Sequence, residues 1–183
     1  MSLHLILGPM FSKKSKRLLE YIRESKIVEY DVMSIKPSND IRYTDKHVIC
    51  THDKETEPCH MVPINQLESI YELEEFKKAK IIFIEEGQFF KGLYEAVMYM
   101  MDKCNKKIYI SALNGDSQRK PFGEINQLLS LAHHIEWMTA LCIKCKDGTK
   151  GVYSKAKIVL ADQIHVGSAE EYDAVCLKHY LEE

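Results

Sequence analysis

Four side chains that commonly bind metal ions fall into two pairs in the last quarter of the 183-residue chain. Cys142 and Cys145 form a Cys-x-x-Cys pair, and Cys176 and His179 form a Cys-x-x-His pair. Two pairs at this spacing predict a tetrahedral zinc site. Because four protein ligands leave no open coordination position, the predicted Zn²⁺ is structural. The alternative is a set of unrelated buried thiols and a surface histidine.

A second group of residues that could take part in chemistry lies at positions 8–15. Residues 8–15 read Gly-Pro-Met-Phe-Ser-Lys-Lys-Ser, close to the phosphate-binding pattern G-x-x-x-x-G-K-[ST] between a strand and a helix. The backbone N–H groups of such a loop surround phosphates at a helix N-terminus, while Lys14 would reach the β- and γ-phosphates and Ser15 would bind Mg²⁺. The residues assigned to ATP are Gly8, Pro9, Met10, Phe11, Ser12, Lys13, Lys14 and Ser15.

One position of this loop departs from the pattern, because Lys13 stands where the second glycine is expected. A side chain is predicted to fit there only if the backbone avoids positive φ. The alternative interpretation of the segment is a basic turn that opens an amphipathic helix.

Two adjacent carboxylates, Glu85 and Glu86, follow the apolar, β-branched run at 79–84. In an open parallel sheet, ligands bind at the carboxyl ends of the strands. One carboxylate placed there can organise Mg²⁺, and its neighbour can accept the proton of an attacking hydroxyl. Taken alone the pair is more typical of a solvated helix start, but the phosphate loop at the same predicted sheet edge favours the catalytic interpretation.

The elements that must position these groups alternate between strand and helix. Strands are predicted at 3–7, 31–36, 48–51, 79–84 and 107–113, and helices at 15–26, 68–78, 93–104 and 122–131. This order predicts an α/β fold, a doubly wound parallel sheet with helices on both faces, over residues 1–140. With the loop at 8–15 after the first strand, the expected sheet is P-loop NTPase-like. Residues 141–183 are predicted to form a small zinc-bound lobe. His133 and His134 are interpreted as helix-end residues, and the cysteines outside the two pairs as small apolar residues.

Composition excludes several classes of protein. Lys and Arg number 25 against 27 Asp and Glu, and 45% of residues are hydrophobic, as in a compact globular protein. The acidic balance and the lack of a basic, aromatic-rich face disfavour a zinc-ribbon nucleic-acid binder. No apolar run approaches the roughly 20 residues that span a membrane, and no secretory signal opens the chain. The expected location is therefore the cytoplasm.

Taken together, these segments resemble the type II thymidine kinase family over essentially the whole chain. The matching stretches are 8–12, 40–43, 51–53, 86–90, 118–123 and 141–145. The resemblance implies transfer of the γ-phosphate of ATP to the 5′-hydroxyl of thymidine, with deoxyuridine as a further acceptor, to give dTMP for nucleoside salvage. It also implies Mg²⁺ bound with ATP, feedback binding of dTTP, and a homo-oligomer that is a dimer or a tetramer.

The resemblance further implies a role for individual residues. Glu86 would be the general base, Glu85 would bind magnesium, and Asp40 and Arg42 would lie near the phosphates. A lasso loop at 146–175, closed by the zinc site, would fold over the nucleoside. The residues assigned to the nucleoside are Met10, Phe89, Leu113, Ser117, Phe122, Gln163, Ile164, His165, Val166, Gly167 and Tyr172.

Four residues differ from the family pattern: Lys13 replaces glycine, Glu85 aspartate, Ser117 phenylalanine and His179 cysteine. Lys13 and Ser117 motivate an alternative hypothesis, a catalytically weakened homologue that binds nucleotide and has a regulatory role. The joint presence of the residues expected to act on ATP favours an active enzyme.

Overall fold

A six-stranded parallel sheet lies at the centre of the structure, a computed structural model that describes residues 1–40, 47–51, 53–158, 163 and 171–182. All neighbouring strands in it run parallel. From one edge to the other the strands are β5 (His60–Val62), β2 (Val32–Pro37), β6 (Ile81–Ile84), β7 (Lys107–Leu113), β1 (Ser2–Gly8) and β8 (His134–Trp137).

Helices cover both faces of this sheet, as the sequence predicted. Helix α1 (Lys14–Ile27) packs its buried leucines and isoleucine on the face that carries Ile6 and Phe83. The opposite face is covered by α2 (Glu74–Lys78), α3 (Leu93–Asp102) and α4 (Ile125–Leu128). Because both faces are covered, all four residues of β6 are buried, which explains its uninterrupted apolar sequence.

Three short antiparallel hairpins lie outside the central sheet in the described part of the chain. One of them pairs β3 (Val48–Cys50) with β4 (Thr56–Pro58). The C-terminal part contains two more hairpins and a final helix: β9 (Ala140–Leu141) with β10 (Lys150–Gly151), β11 (Tyr153–Ala156) with β12 (Tyr172–Val175), and α5 (Leu177–Leu181). None of the helices in the described part of the chain combines the length and the apolar character that a bilayer crossing requires.

Two predicted helices are wrong in length. The helix predicted at 68–78 is a 3₁₀ turn (Leu67–Glu72) followed by α2, because Leu73 between them is extended with ψ of 134°. The helix predicted at 122–131 shrinks to α4. Gly123 precedes it with φ of +56°, and soon after it the chain must turn back to enter the sheet beside β1.

The interpretation of His133 and His134 as helix-end residues is also wrong. His134 begins β8, an edge strand, and its register partner is His4 of β1. His133 exchanges two bonds with Leu3: the Leu3 N–H donates to the His133 ring at 3.3 Å, and the His133 N–H donates to the Leu3 carbonyl at 2.8 Å. An edge strand with polar side chains lacks the apolar run that reveals a buried strand.

Candidate active site

The loop between β1 and α1 is tightly packed and internally bonded. A side chain at Gly8 would bring its Cβ to 2.5 Å from the Met138 carbonyl oxygen and 2.7 Å from the Ser12 hydroxyl, so only glycine fits there. The Ser12 hydroxyl and the Lys14 ammonium both donate to the Pro9 carbonyl, each at 2.8 Å. These contacts fix the curve of the loop at the carboxyl end of β1.

Lys13 adopts the left-handed conformation, with φ of 67° and ψ of 26°. The predicted condition for a side chain at this position, a backbone that avoids positive φ, is therefore not met. The conformation suits the place, because the Lys13 carbonyl accepts the Arg17 N–H at 3.0 Å and so opens α1. A residue with a Cβ costs about 1 to 2 kcal/mol in this region. The loop thus holds local strain where glycine would hold little.

Glu85, at the carboxyl end of β6, accepts two hydroxyl bonds and is buried. The Ser15 hydroxyl donates to its Oε1 at 2.5 Å, and the Ser111 hydroxyl donates to its Oε2. Burial raises the pKa of Glu85 to about 7, and the neighbouring charge of Glu86 adds to this, although the two hydroxyl bonds oppose it. The two predicted magnesium ligands are therefore in direct contact, and both offer the oxygen atoms that Mg²⁺ prefers.

Glu86 is also buried and is held by a neighbour that the sequence interpretation did not assign. The Gln88 side-chain amide donates to Glu86 Oε2 at 2.6 Å, and the Leu113 N–H in turn donates to the side-chain oxygen Oε1 of Gln88 at 3.1 Å. Glu86 itself has positive φ, 51°. Strained backbone of this kind clusters at functional sites. Gln88 lies within the stretch 86–90 that carried the family resemblance, and that was the available signal.

A cavity of about 250 Å³ opens between the loop and these strand ends. Its lining combines the β1–α1 loop, Glu86 and the turn that joins β3 to β4. The lining residues are Met10, Phe11, Lys13, Lys14, Ser15, Lys16, Thr51, Asp53, Glu86 and Leu113. Of these, Lys16, Thr51 and Asp53 were not assigned from the sequence, and the Lys16 ammonium lies 3.6 Å from the Asp53 carboxylate.

The four predicted zinc ligands converge at one point. The His179 Nδ1 lies 3.4, 3.3 and 3.4 Å from the sulfurs of Cys142, Cys145 and Cys176, and the sulfurs of Cys145 and Cys176 are 3.7 Å apart. A tetrahedron with ordinary Zn–S and Zn–N lengths has edges of about 3.5 Å from S to N and about 3.8 Å between sulfurs. The donor set and its spacing therefore fit one structural Zn²⁺.

Comparison with known proteins agrees with this geometry. The family model described as thymidine kinase matches residues 1–180. The chain belongs to the thymidine kinase family. Among its relatives, the thymidine kinase of rabbit fibroma virus (strain Kasza) is 33% identical over 183 residues, covering 98% of this chain and 96% of the relative.

Cellular members of the thymidine kinase family are equally similar to the chain. The human protein named cytosolic thymidine kinase is 34% identical, covering 98% of this chain and 73% of the relative. Thymidine kinase a of Arabidopsis thaliana is 33% identical, covering 98% of this chain and 75% of the relative. Membership identifies the chain as one of a family of phosphotransferases.

The residues assigned to the nucleoside occupy several places around this site. Met10 and Leu113 line the first cavity with Glu86. Phe89 and Phe122 are buried and meet edge to face, with ring centroids 5.5 Å apart. Tyr172 lines a second cavity of about 760 Å³, which shares Phe11 and Lys13 with the first.

Two more residues assigned to the nucleoside, Ser117 and Gln163, take part in contacts between the C-terminal part and the loop at 114–121. The Tyr180 hydroxyl donates to the Ser117 carbonyl at 2.7 Å, and the Gln163 amide donates to Asp116 at 2.7 Å. Asp40 is buried. Arg42, Ile164, His165, Val166 and Gly167 lie outside the described residues.

The C-terminal part also contacts the phosphate loop directly. The Met10 N–H donates to the Ser154 hydroxyl of β11 at 2.9 Å. Ser154 is the register partner of Ala174, two residues before the predicted zinc ligand Cys176. One amide of the loop is therefore held by the hairpin that leads to the zinc cluster.

Proposed function

We propose that this chain transfers the γ-phosphate of ATP to the 5′-hydroxyl of thymidine, giving dTMP and ADP for the salvage of DNA precursors. The contact between Ser15 at the start of α1 and Glu85 at the end of β6, beside the cavity that Glu86 lines, carries the proposal. It joins a phosphate loop, a metal-binding pair and a carboxylate base at one edge of the sheet. The names of the relatives support thymidine as the acceptor.

The loop would hold the triphosphate through charge and backbone N–H groups. Lys13, Lys14 and Lys16 bring three cationic side chains to the wall of the cavity. The N-terminus of the 14-residue helix α1 adds the favourable end of its dipole. The Lys14 ammonium, bonded to the Pro9 carbonyl in the described structure, would turn to the β- and γ-phosphates.

Ser15 and Glu85 would hold the magnesium ion that accompanies ATP, and that ion would neutralise charge on the β- and γ-phosphates. Their short contact supports this pairing. With a pKa of about 7, Glu85 carries a proton in a large share of molecules at neutral pH. That proton would be lost when a cation approaches, so Glu85 would act as a carboxylate in the loaded enzyme.

Glu86 would accept the proton of the 5′-hydroxyl while the hydroxyl oxygen attacks the γ-phosphorus and the bond to the bridging oxygen of ADP breaks. Gln88 supports this role because its bond to Oε2 fixes the orientation of the carboxylate. The Leu113 N–H fixes Gln88 in turn. The base would thus be held by a chain of two hydrogen bonds that ends on the backbone of β7.

The nucleoside would lie against apolar residues of this edge, with Phe89 and Phe122 as the buried base of that wall. A wall of this kind favours a pyrimidine with a methyl group, so we expect deoxyuridine to be the weaker acceptor. The lasso loop, pinned by zinc, would cover the base. We also propose feedback binding of dTTP at this site, a homo-oligomeric enzyme and a cytoplasmic location, the last supported by the name of the human relative.

A coupled ADP-release assay tests the proposal. The purified protein is supplied with ATP and Mg²⁺ and with each of the four natural deoxynucleosides, with deoxyuridine, or with no acceptor. We expect fast release with thymidine, slower release with deoxyuridine and background release otherwise. Release that does not depend on the acceptor would overturn the proposal and favour the weakened, regulatory homologue.

A further inference from the structure

Away from the proposed active site, three potential metal ligands meet on one face of the sheet near its β8 edge. His4 of β1 is the register partner of His134 of β8, and Glu136 lies two residues further along β8. Residues two apart in a strand point to the same face, and neighbouring strands are about 5 Å apart. Strand pairing alone therefore brings these three side chains together.

The geometry of the cluster suits a shared ligand. The ligand atoms of the three residues all lie within 4.8 Å of one another. The His4 Nε2 is 2.9 Å from Glu136 Oε1, and the His134 ring meets the His4 ring edge to face at 4.4 Å between centroids. The side chains of His4 and Glu136 are 13% and 21% exposed, whereas His134 is exposed, so an ion can enter from solvent on the His134 side.

We propose that His4, His134 and Glu136 form a second metal site, which binds one divalent transition-metal ion of the Zn²⁺, Ni²⁺ or Cu²⁺ class. Two imidazoles and one carboxylate are a donor set that these ions favour over Mg²⁺ or Ca²⁺. The three ligands leave coordination positions for water. None of them belongs to the cluster of three cysteines and His179, and the inference does not depend on the proposed function.

The surroundings keep His4 and Glu136 in the forms that bind metal. Burial holds the pKa of His4 below its ordinary value, against the hydrogen bond to Glu136, so the ring is mainly neutral at pH 7. Burial tends to raise the pKa of Glu136, but the bonds from Tyr21 and Arg17 outweigh it and hold that pKa below its ordinary value. A neutral imidazole and an ionised carboxylate release no proton to solvent when they coordinate, but the Nε2 proton that His4 donates to Glu136 must first move to Nδ1.

Residues of α1 hold the remaining oxygen of the carboxylate. The Arg17 Nε donates to Glu136 Oε2 at 2.9 Å, which leaves Oε1, shared with His4 and the Tyr21 hydroxyl, as the metal-facing atom. The Arg17 and Lys107 charges oppose a cation, and Tyr21 and His4 must move slightly to admit it. We therefore expect binding weaker than at the cysteine cluster, which carries thiolate ligands.

Cobalt is a probe that distinguishes the two sites. Protein whose cysteine cluster is already loaded with zinc is titrated with Co²⁺, and its visible absorption is followed. We expect saturable d–d bands without the thiolate-to-cobalt charge-transfer band that exchange into the cysteine cluster would produce. The His134→Ala variant should lose the d–d bands, and His60→Ala, which removes another exposed histidine bonded to a glutamate, should keep them.

Metal analysis of the unaltered protein provides an independent measurement that needs no variant. After equilibrium dialysis against Zn²⁺ under reducing conditions, we expect zinc beyond the amount bound by the cysteine cluster, released first by a weak chelator. Zinc equal only to the cysteine-cluster content would overturn the proposal. Co²⁺ bands that are unchanged in His134→Ala, or that show only thiolate charge transfer, would overturn it as well.

Discussion

Lys13 sets a side chain against the backbone conformation that the phosphate loop requires. Because the residue sits at φ of 67°, Lys13→Gly should raise the free energy of unfolding by about 1 kcal/mol, measured by chemical denaturation. ATP affinity should change by no more than about 1.4 kcal/mol, tenfold, in either direction, because the lysine ammonium can swing outward and still assist the triphosphate.

Glu29→Gly is a matched control for this change. Glu29 also has positive φ, 58°, but it follows the far end of α1. It should give a similar gain in stability with no effect on ATP. A large rise in phosphorylation confined to Lys13→Gly would show that the native loop is impaired and would support the regulatory alternative.

Glu86→Gln tests the assignment of the general base. The amide keeps the size of the side chain and can still bond to Gln88, so binding of ATP and thymidine should be nearly unchanged. Turnover should fall by roughly 10² to 10⁴-fold, the usual effect of losing a positioned base. Steady-state kcat and KM for both substrates separate these effects, and wild-type turnover in the variant would exclude Glu86 as the base.

Glu85 makes the stability of the metal-free protein depend on pH. Its pKa rises from 4.5 to about 7 on folding, so between these values the folded state binds more protons than the unfolded state and stability falls as pH rises. At about 1.4 kcal/mol for each pH unit between the two pKa values, the loss totals roughly 3 kcal/mol. Denaturation curves from pH 4.5 to 7.5 measure it.

Glu85→Gln should flatten this dependence, since an amide does not titrate. Glu95→Gln, on the exposed face of α3, should leave it as in the wild type. A slope that is equal in all three proteins would place the titrating group elsewhere.

At the scale of elements, the sequence was sufficient to predict those features that one kind of interaction determines, such as burial of a strand or binding of a metal. The apolar runs of β1, β6 and β7 predicted where these strands lie in the chain, and the two Cys/His pairs predicted which four side chains meet. The edge strand β8 was missed because His134 and Glu136 lack that apolar signal. The helices predicted at 68–78 and 122–131 were too long because Leu73 is extended and because the chain turns into β8 soon after α4. Likewise, the bond from Gln88 to Glu86 depends on how the strand ends meet, which no local pattern encodes.

Gly123, in the loop before α4, packs against Gln88, the residue that orients the proposed base Glu86. A Cβ at this position would lie 2.3 Å from the backbone carbonyl oxygen of Gln88, and φ is already +56°. Gly123→Ala should therefore destabilise the protein by about 2 kcal/mol or more and lower turnover, because the displaced Gln88 no longer orients Glu86.

Gly92→Ala is a control that shows the effect of backbone strain at positive φ without a steric clash. Gly92 has φ of +68° but no atom within 4 Å of the added Cβ. It should cost about 1 kcal/mol and leave kcat unchanged. Thermal unfolding and steady-state kinetics of both variants provide the comparison, and an equal effect on kcat would exclude the proposed path through Gln88.

At the scale of the whole molecule, the zinc cluster is expected to govern nucleoside binding more than ATP binding. In carefully desalted protein, Cys176→Ser should reduce the metal content from about one zinc per chain. It should weaken thymidine binding before ATP binding, because the zinc closes the lasso, whereas the phosphate loop is also held by the bonds of Ser12 and Lys14 to the Pro9 carbonyl. Metal analysis and separate titrations with thymidine and ATP measure these effects. Cys104→Ser, outside the cluster, is the control. Full metal content in Cys176→Ser would contradict the assignment.

The bond from the Met10 amide to Ser154 has a consequence for biosynthesis. The two residues are 144 positions apart, and β8, the edge partner of β1, is also made late. When only the phosphate loop and the central strands have emerged from the ribosome, the loop therefore still lacks its bond to Ser154. Such contacts between distant segments form slowly and leave partly folded chains exposed to aggregation. The phosphate loop, which is synthesised long before its partner Ser154, thus becomes one of the last segments to reach its native form.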